Sequence, residues 1–178
     1  MRWRSAPRPS GRRLRAWLAS DGSLSRRLDA AFGGFRVEVV AQGVAPITAD
    51  EWRALGRPAS RRMHVREVVL HAGGQPLVVA RSVLPAVHAG MAWRAVRGLG
   101  TRPLAQLLFA PKPVGPHAVR RHALGPVRQA LSLHVDEALG RAPARRAVWG
   151  RRALFVRAGV PLLLTEWFLP AVGRRSPA

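Results

Sequence analysis

The chain has 178 residues, of which 48% are hydrophobic, and a formal net charge of +21. This length and apolar share are typical of one globular domain with its own core. No apolar run reaches the ~18 residues that a membrane helix needs, and no signal-peptide segment follows the basic N-terminus, so we predict a cytoplasmic protein. Cysteine is absent, which excludes disulfides, thiolate metal sites and cysteine nucleophiles. The six histidines show no metal-ligand spacing, so we expect no metal.

The basic residues are almost all arginine and are spread along the chain. Lys112 is the only lysine among the 30 basic residues. A nucleic-acid-binding protein would concentrate its positive charge on one face or stripe. We therefore expect a small anionic ligand and no nucleic acid, and the charge leaves open a peripheral attraction to anionic membranes. Nothing in the pattern demands a second subunit, so a monomer is expected.

Helical periodicity and strand alternation follow one another along the whole chain. In chain order they predict helices at 12–19 and 23–32, a strand at 35–40, a helix at 48–55, strands at 65–71 and 76–84, helices at 86–99 and 103–108, a strand at 118–124, a helix at 127–139, and strands at 151–157 and 160–169. Neighbouring strands joined by short turns indicate antiparallel pairing. The predicted fold class is therefore α+β, with one largely antiparallel sheet and covering helices.

Capping residues support some of these boundaries. Asp21 or Ser23 can cap the second helix, and Gly33 follows its last turn. The residues from Thr48 to Glu51 match a capping box. We place a single domain at 12–172, between a flexible basic leader at 1–11 and a tail at 173–178.

The first hairpin, around Gly73-Gly74, carries two arginines that could bind an anion. A two-residue turn there would place Arg66 opposite Arg81, Val68 opposite Val79 and Leu70 opposite Leu77. Like charges opposed on a buried face destabilise a sheet, and an anion between them would remove the conflict. Since a guanidinium binds carboxylates through a planar fork, the pair predicts a substrate with one or two carboxylates. The alternative is that both arginines lie at the rim of the sheet in water.

The second hairpin places an acidic residue, Glu166, inside the most apolar stretch of the chain, 161–170. A two-residue turn at Ala158-Gly159 would set Glu166 opposite Arg151, and an ordinary cross-strand ion pair would then explain it. The alternative is a pocket carboxylate that accepts a hydrogen bond from a substrate hydroxyl or acts as a base. Both readings remain open from this segment alone.

No nucleophile constellation and no phosphate-binding loop occurs in the sequence. Any catalytic chemistry is therefore expected to need no cofactor. Leu24 and Leu104 lie in helical stretches, where leucine is by default a core residue.

Six segments that are unremarkable singly occur in a specific order: 21–28 (DGSLSRRL), 66–70 (REVVL), 80–85 (ARSVLP), 99–104 (LGTRPL), 149–152 (WGRR) and 161–170 (PLLLTEWFLP). Together they resemble the chorismate lyase family, the bacterial chorismate pyruvate-lyases. The segments span about 20 to 170. The chain departs from the compact members in its long link at 110–148 and in its basic leader.

The resemblance implies a single α+β domain whose sheet and helices enclose a ligand site. It implies conversion of chorismate to 4-hydroxybenzoate and pyruvate without a cofactor, at the start of ubiquinone biosynthesis. It also implies a substrate-contacting arginine at Arg66, a leucine at Leu104 that contacts ligand through its backbone, a carboxylate at Glu166 and a further contact at Leu24. Glu166 and Arg66 are thus the predicted catalytic residues, and Arg81 is added as a second guanidinium for a dianionic substrate.

Two other classes of function stay open. One is a ligand-sensing domain of the related fold found in effector domains of bacterial transcription regulators. Such a domain usually follows a helix-turn-helix module, for which the first 30 residues are too short. The other is a basic nucleic-acid-binding protein, which would bind DNA or RNA with a steep salt dependence.

Overall fold

The computed structural model describes residues 11–56, 62–90, 92–109, 118–127, 133–140 and 148–178. Its elements in chain order are α1 Arg12–Ala19, α2 Leu24–Phe32, β1 Arg36–Ala45, α3 Ala49–Ala54, β2 Met63–Ala72, β3 Gln75–Pro85, a 3₁₀ helix Ala86–Gly90, α4 Arg94–Arg97, α5 Ala105–Leu108, β4 Ala118–Val127, α6 Leu133–Ala138, β5 Val148–Arg157, β6 Val160–Phe168 and a second 3₁₀ helix Pro170–Arg174.

The described strands form one antiparallel sheet in the order β1-β2-β3-β6-β5-β4. The hairpins β2–β3 and β5–β6 meet through the antiparallel pair of β3 and β6. This arrangement confirms the predicted α+β class with a single antiparallel sheet.

Helices cover both faces of the sheet. On one face, α1, α2, α4 and α5 pack against inward-facing residues such as Val68, Ala80 and Phe155. On the other face, α3 and α6 lie over the alternate residues, among them Val69 and Val83. The side chains of one strand thus divide between two apolar layers, as the two-residue period of a strand requires.

The predicted N-terminal helices are confirmed to within one residue at each end, whereas β1 continues to Ala45, five residues beyond the strand predicted at 35–40. The Ser23 hydroxyl accepts a hydrogen bond from the Arg26 amide and caps α2, which ends at Gly33. The capping box of α3 is formed by Thr48 and Glu51. The capping residues thus fix where these short helices begin.

Two predicted helices are wrong in extent. The region predicted as one helix at 86–99 forms a 3₁₀ helix, Ala86–Gly90, and a separate short helix, α4. Gly90 and Gly98, which end these two pieces, have low helix propensity. Val127 belongs to β4, so the helix predicted at 127–139 is limited within the described residues to α6; residues 128–132 lie outside them.

The register of the first hairpin differs by one residue from the predicted one. Leu70 pairs with Val78, and Arg66 pairs with Ser82 and not with Arg81. The shift occurs between Leu70 and His71, since His71 pairs with Pro76 and Leu77 is the extra residue of a bulge. Pro76 has no amide hydrogen for the ladder, and proline in sheets is confined to such irregular positions and to edges.

The segment predicted as a C-terminal tail, 173–178, lies against α1 and α2. The Trp17 indole donates a hydrogen bond to the Arg175 carbonyl oxygen at 2.8 Å. The Arg27 guanidinium donates to the Ala178 carbonyl oxygen at 2.7 Å. Within the described ranges, no helix has the length and apolar character to cross a membrane.

The second hairpin has the predicted register, with Arg157 opposite Val160 and Arg151 opposite Glu166. Its two-residue turn has positive φ at both Ala158, 48°, and Gly159, 75°. This is the turn type that matches the twist of a hairpin. A non-glycine residue there is strained by its Cβ, and alanine has no polar side-chain group that could offset the strain by a local hydrogen bond.

We therefore expect Ala158→Asn to raise the free energy of unfolding by about 0.5–1 kcal/mol, because asparagine tolerates the left-handed region better than alanine. Urea denaturation measures the change. The matched control is Gly159→Ala, whose added Cβ would meet no atom within 4 Å. It should lower the free energy of unfolding by about 1 kcal/mol through its φ alone. Equal stabilities for the two variants would contradict the strain at this turn.

Candidate active site

A cavity of about 310 Å³ lies between the sheet and the helices of its first face. Its floor is formed by β2, β3, β5 and β6, and its roof by α2, α5 and the loop between α1 and α2. Most of its lining is apolar. The buried polar side chains that line it from the sheet are Arg66, Ser82, Arg151 and Glu166.

Arg66 is buried in β2 with 3% of its surface exposed. Its Nη2 donates to the carbonyl oxygens of Gly100, at 2.8 Å, and Arg102, at 3.3 Å. The loop before α5 thereby fixes the orientation of the guanidinium. None of the ion pairs among the described residues includes Arg66. Arg66 is thus a buried cation at a cavity wall, and no carboxylate of the described residues balances it.

The electrostatic surroundings of Arg66 are consistent with an anion-binding role. Burial lowers the pKa of Arg66, and no carboxylate opposes that shift. Burial, followed by the charges of Arg97 and Arg66, lowers the pKa of nearby His64 below its usual 6.5. His64 is therefore neutral near pH 7 and adds no second positive charge beside Arg66. An anionic ligand would supply the missing charge.

Glu166 lines the cavity from β6 and is 8% exposed. Its carboxylate accepts a short hydrogen bond from Arg151 Nε on the neighbouring strand. The two interpretations of Glu166, as an ion-pair partner of Arg151 and as a carboxylate of the cavity wall, are therefore compatible, because it has both positions at once. The pair is buried, so removing either charged group would leave the other charge uncompensated and would lower the stability of the protein strongly.

Arg151 connects Glu166 to the roof of the cavity. Its Nη1 donates to the Ser20 carbonyl oxygen at 2.5 Å and to the Ser20 hydroxyl at 3.3 Å. Ser20 lies in the loop between α1 and α2, and the residues from Ser20 to Gly22 line the cavity. One guanidinium therefore orients both the carboxylate and the covering loop.

Leu24 and Leu104 both line the cavity, from the beginning of α2 and the beginning of α5. They are 3% and 8% exposed. Their default reading as core residues is thus confirmed by burial, and they are also positioned as walls of the site. With Arg66 and Glu166, four of the five predicted substrate-binding residues lie around one cavity.

The prediction that Arg81 faces Arg66 is wrong. Because of the bulge at Leu77, Arg81 pairs with Glu67 across the hairpin and lies on the opposite face of the sheet from Arg66. Arg81 is not among the residues that line the cavity. It donates to Glu51 at 2.8 Å and to Glu67 at 2.7 Å. The conflict between like charges that motivated an anion between Arg66 and Arg81 therefore does not exist.

The contrast between the two arginines is electrostatic as well as geometric. Burial lowers the pKa of Arg81, but the hydrogen bonds and charges of Glu51 and Glu67 outweigh it and raise the pKa overall. Arg81 thus has two protein carboxylates, whereas Arg66 has none among the described residues. Arg81 is a structural group that joins α3 to the sheet.

Two of the polar cavity residues have a role that was not predicted from the sequence. The sequence predicts Arg151 only as the partner of Glu166 and gives no prediction for Ser82. The strand register would identify both residues, because it places Ser82 opposite Arg66 and Arg151 opposite Glu166. Among the described residues no cluster of His, Asp or Glu has the arrangement of a metal site.

The cavity lies between one antiparallel sheet and its helices and is lined by two guanidiniums and a carboxylate, an arrangement suited to a small anionic molecule. The family model for chorismate lyase matches residues 8–176. The chain belongs to the chorismate lyase family, and it is therefore an enzyme of the carbon–oxygen lyase class.

Curated relatives cover most of this chain. A probable chorismate pyruvate-lyase of Azoarcus sp. (strain BH72) is 38% identical over 167 residues, which are 93% of this chain and 88% of that protein. A probable chorismate pyruvate-lyase of Methylococcus capsulatus (strain ATCC 33009 / NCIMB 11132 / Bath) is 41% identical over 167 residues, 89% of this chain and 96% of that protein.

Solved structures with this fold include domains of transcriptional regulators. The ligand-binding domain of a putative GntR-family regulator from Bordetella bronchiseptica has a TM-score of 0.53 at 17% identity, covering 85% of this chain and 88% of that one. The effector domain of PhnF from Mycobacterium smegmatis has a TM-score of 0.52 at 13% identity, covering 84% and 90%. At such identities the likeness concerns the fold alone.

The surroundings of Arg81 predict a loss of stability when its charge is removed. We expect Arg81→Met to lower the free energy of unfolding by about 3 kcal/mol, because Glu51 and Glu67 would remain buried without their shared cation. Urea denaturation measures this change. The matched variant is Arg66→Met, which removes a buried cation that no described carboxylate balances and should destabilise far less. A larger loss for Arg66→Met than for Arg81→Met would contradict the two assignments.

Proposed function

We propose that the protein removes pyruvate from chorismate and releases 4-hydroxybenzoate, the activity for which its relatives are named. The observation that carries the proposal is Arg66, a buried cation at the wall of the cavity with no ion-pair partner among the described residues. The place of this reaction in ubiquinone biosynthesis, a cytoplasmic location and a monomeric state belong to the same proposal. They rest on the family and on composition.

Chorismate carries a ring carboxylate and an enolpyruvyl carboxylate, so its charge suits this cavity. Arg66 binds the ring carboxylate through donors that the loop before α5 leaves free. Arg151 takes the place that Arg81 was expected to have, as the second guanidinium at the cavity wall. Two buried guanidiniums and one buried carboxylate, Glu166, give the wall a net positive charge, which favours an anionic ligand.

Glu166 accepts a hydrogen bond from the ring hydroxyl and so positions the substrate. As a base it would have to take up a proton and lose the charge that balances the buried Arg151 guanidinium. Leaving a buried cation uncompensated is costly. The contact with Arg151 therefore favours Glu166 as a positioning group over Glu166 as a proton acceptor.

The chemistry itself can proceed within the substrate. The hydrogen on the ring carbon that bears the hydroxyl moves to the enolpyruvyl methylene carbon, and the bond between the adjacent ring carbon and the ether oxygen breaks. A ring double bond forms between these two ring carbons, and the ether oxygen leaves as the ketone oxygen of pyruvate. The ring becomes aromatic, which drives the reaction. The cavity contributes in two ways. It holds a cyclic conformer of the substrate, in which the hydroxyl-bearing ring carbon and the enolpyruvyl methylene carbon approach each other, and it excludes water.

The proposal predicts that the purified protein converts chorismate to equal amounts of 4-hydroxybenzoate and pyruvate without added metal or cofactor. Arg66→Met should weaken 4-hydroxybenzoate binding by about a hundredfold, because a buried carboxylate would lose its cation. Chromatography measures turnover, and titration calorimetry measures binding. Ligand binding without turnover would instead support a sensing domain. Unchanged affinity of Arg66→Met would remove the assignment of Arg66.

The positioning role of Glu166 predicts that Glu166→Gln keeps kcat within about tenfold of the wild type, whereas loss of a general base would cost about 10²–10⁴-fold. The variant leaves Arg151 without its counter-charge, so its free energy of unfolding should fall by about 3 kcal/mol. Turnover is therefore measured well below the melting temperature. The matched control is Glu67→Gln, which removes a buried carboxylate on the opposite face. A kcat loss beyond a hundredfold in Glu166→Gln alone would establish Glu166 as the base.

A further inference from the structure

Two buried polar atoms of the cavity floor have no hydrogen-bond partner among the described residues: Arg66 Nε and Ser82 Oγ. Arg66 is 3% exposed and Ser82 is 2% exposed. A buried polar group without a partner is costly and rare in a native protein. Two such atoms in one site indicate that a polar group of a ligand is their hydrogen-bond partner.

These two residues are direct neighbours. Arg66 and Ser82 are opposed in the register of β2 and β3, so their side chains leave the same face of the sheet side by side. Both line the cavity; of the other floor residues, Val68, Ala80 and Leu164 offer no side-chain hydrogen bond, and Arg151 and Glu166 are bonded to each other. The unsatisfied groups therefore form a small polar spot on an apolar floor.

The remaining bonds of Arg66 determine what this spot can bind. Its Nη2 is already engaged by the carbonyl oxygens of Gly100 and Arg102. The Nε–H of Arg66 and the hydroxyl of Ser82 are both donors. Two adjacent donors, one of them charged, match an acceptor that carries negative charge on two oxygens.

We propose that Ser82 and Arg66 together bind one carboxylate of the ligand, with the Ser82 hydroxyl donating to one oxygen and the Arg66 guanidinium to the other. Ser82 is then a specificity-determining residue, because it distinguishes a carboxylate from an uncharged group of similar shape. The choice of 4-hydroxybenzoate as the ligand rests on the proposed function, whereas the clamp itself rests on the two unsatisfied donors.

The test compares the binding of 4-hydroxybenzoate with that of its uncharged amide, 4-hydroxybenzamide, by titration calorimetry. Ser82→Ala should weaken 4-hydroxybenzoate by about tenfold or more, since hydrogen bonds to charged groups are the strong ones, and should change the amide by less than about threefold. Ser82→Thr keeps the hydroxyl and should restore the preference for the carboxylate.

A matched control separates the clamp from a general effect of removing a hydroxyl. Ser25 also lines the cavity and is buried, but its hydroxyl has a partner in the Ser23 hydroxyl at 3.0 Å. Ser25→Ala should shift the affinities of the two ligands by equal factors. The ligand-free Ser82→Ala protein should melt at the same temperature as the wild type or higher, because an unsatisfied hydroxyl has been removed.

Several outcomes would overturn the clamp. They are an unchanged 4-hydroxybenzoate affinity in Ser82→Ala, equal losses for acid and amide, a wild type that binds the two ligands alike, or a lower melting temperature of ligand-free Ser82→Ala, which would indicate a bridging water with a structural role. The proposed function is judged separately by turnover. Chorismate conversion with an unaltered Ser82→Ala affinity removes the clamp alone, and carboxylate-selective binding without conversion removes the proposed activity alone.

Discussion

The bulge at Leu77 decides which arginine faces the cavity. Because one extra residue in β3 shifts the register, every side chain after it changes face relative to a regular hairpin. Arg81 is moved to the face of α3, where two carboxylates surround it, and Ser82 is brought beside Arg66. On the face of α3, the positive charge of Arg81 is therefore balanced by protein carboxylates. On the cavity face, Arg66 has no such partner among the described residues, and we propose that it binds a ligand.

The ion pair of Arg151 and Glu166 extends this arrangement to the roof of the cavity. A buried pair contributes little net stability over apolar residues of the same volume, but it is costly to break. Here the pair fixes the carboxylate, and the remaining donors of Arg151 hold the Ser20 carbonyl oxygen. The loop that covers the ligand and the group proposed to bind the ring hydroxyl are thus oriented by the same side chain.

The sequence was sufficient where local rules decide the structure. Ser23 and Thr48 indicated the helix starts, and Ala158-Gly159 indicated a two-residue turn that placed Arg151 opposite Glu166. It was insufficient at Leu77, because a bulge depends on how the ladder accommodates Pro76 and has no strong local signal. One such residue was enough to misplace Arg81 and to hide Ser82, whereas the family segments still located Leu24, Arg66, Leu104 and Glu166.

The proposed reaction proceeds within the substrate, so its rate would depend on how well the site holds one conformer of the substrate. In an apolar cavity, each hydrogen bond from a buried donor is stronger than it would be in water, because little solvent competes. The same surroundings make the ligand-free site unfavourable, since Arg66 is desolvated without a counter-charge. Binding an anion relieves that cost, and the relief is as available to an aromatic carboxylate product as to the substrate. The carboxylate selectivity proposed for the cavity would therefore also favour tight retention of the proposed product, 4-hydroxybenzoate.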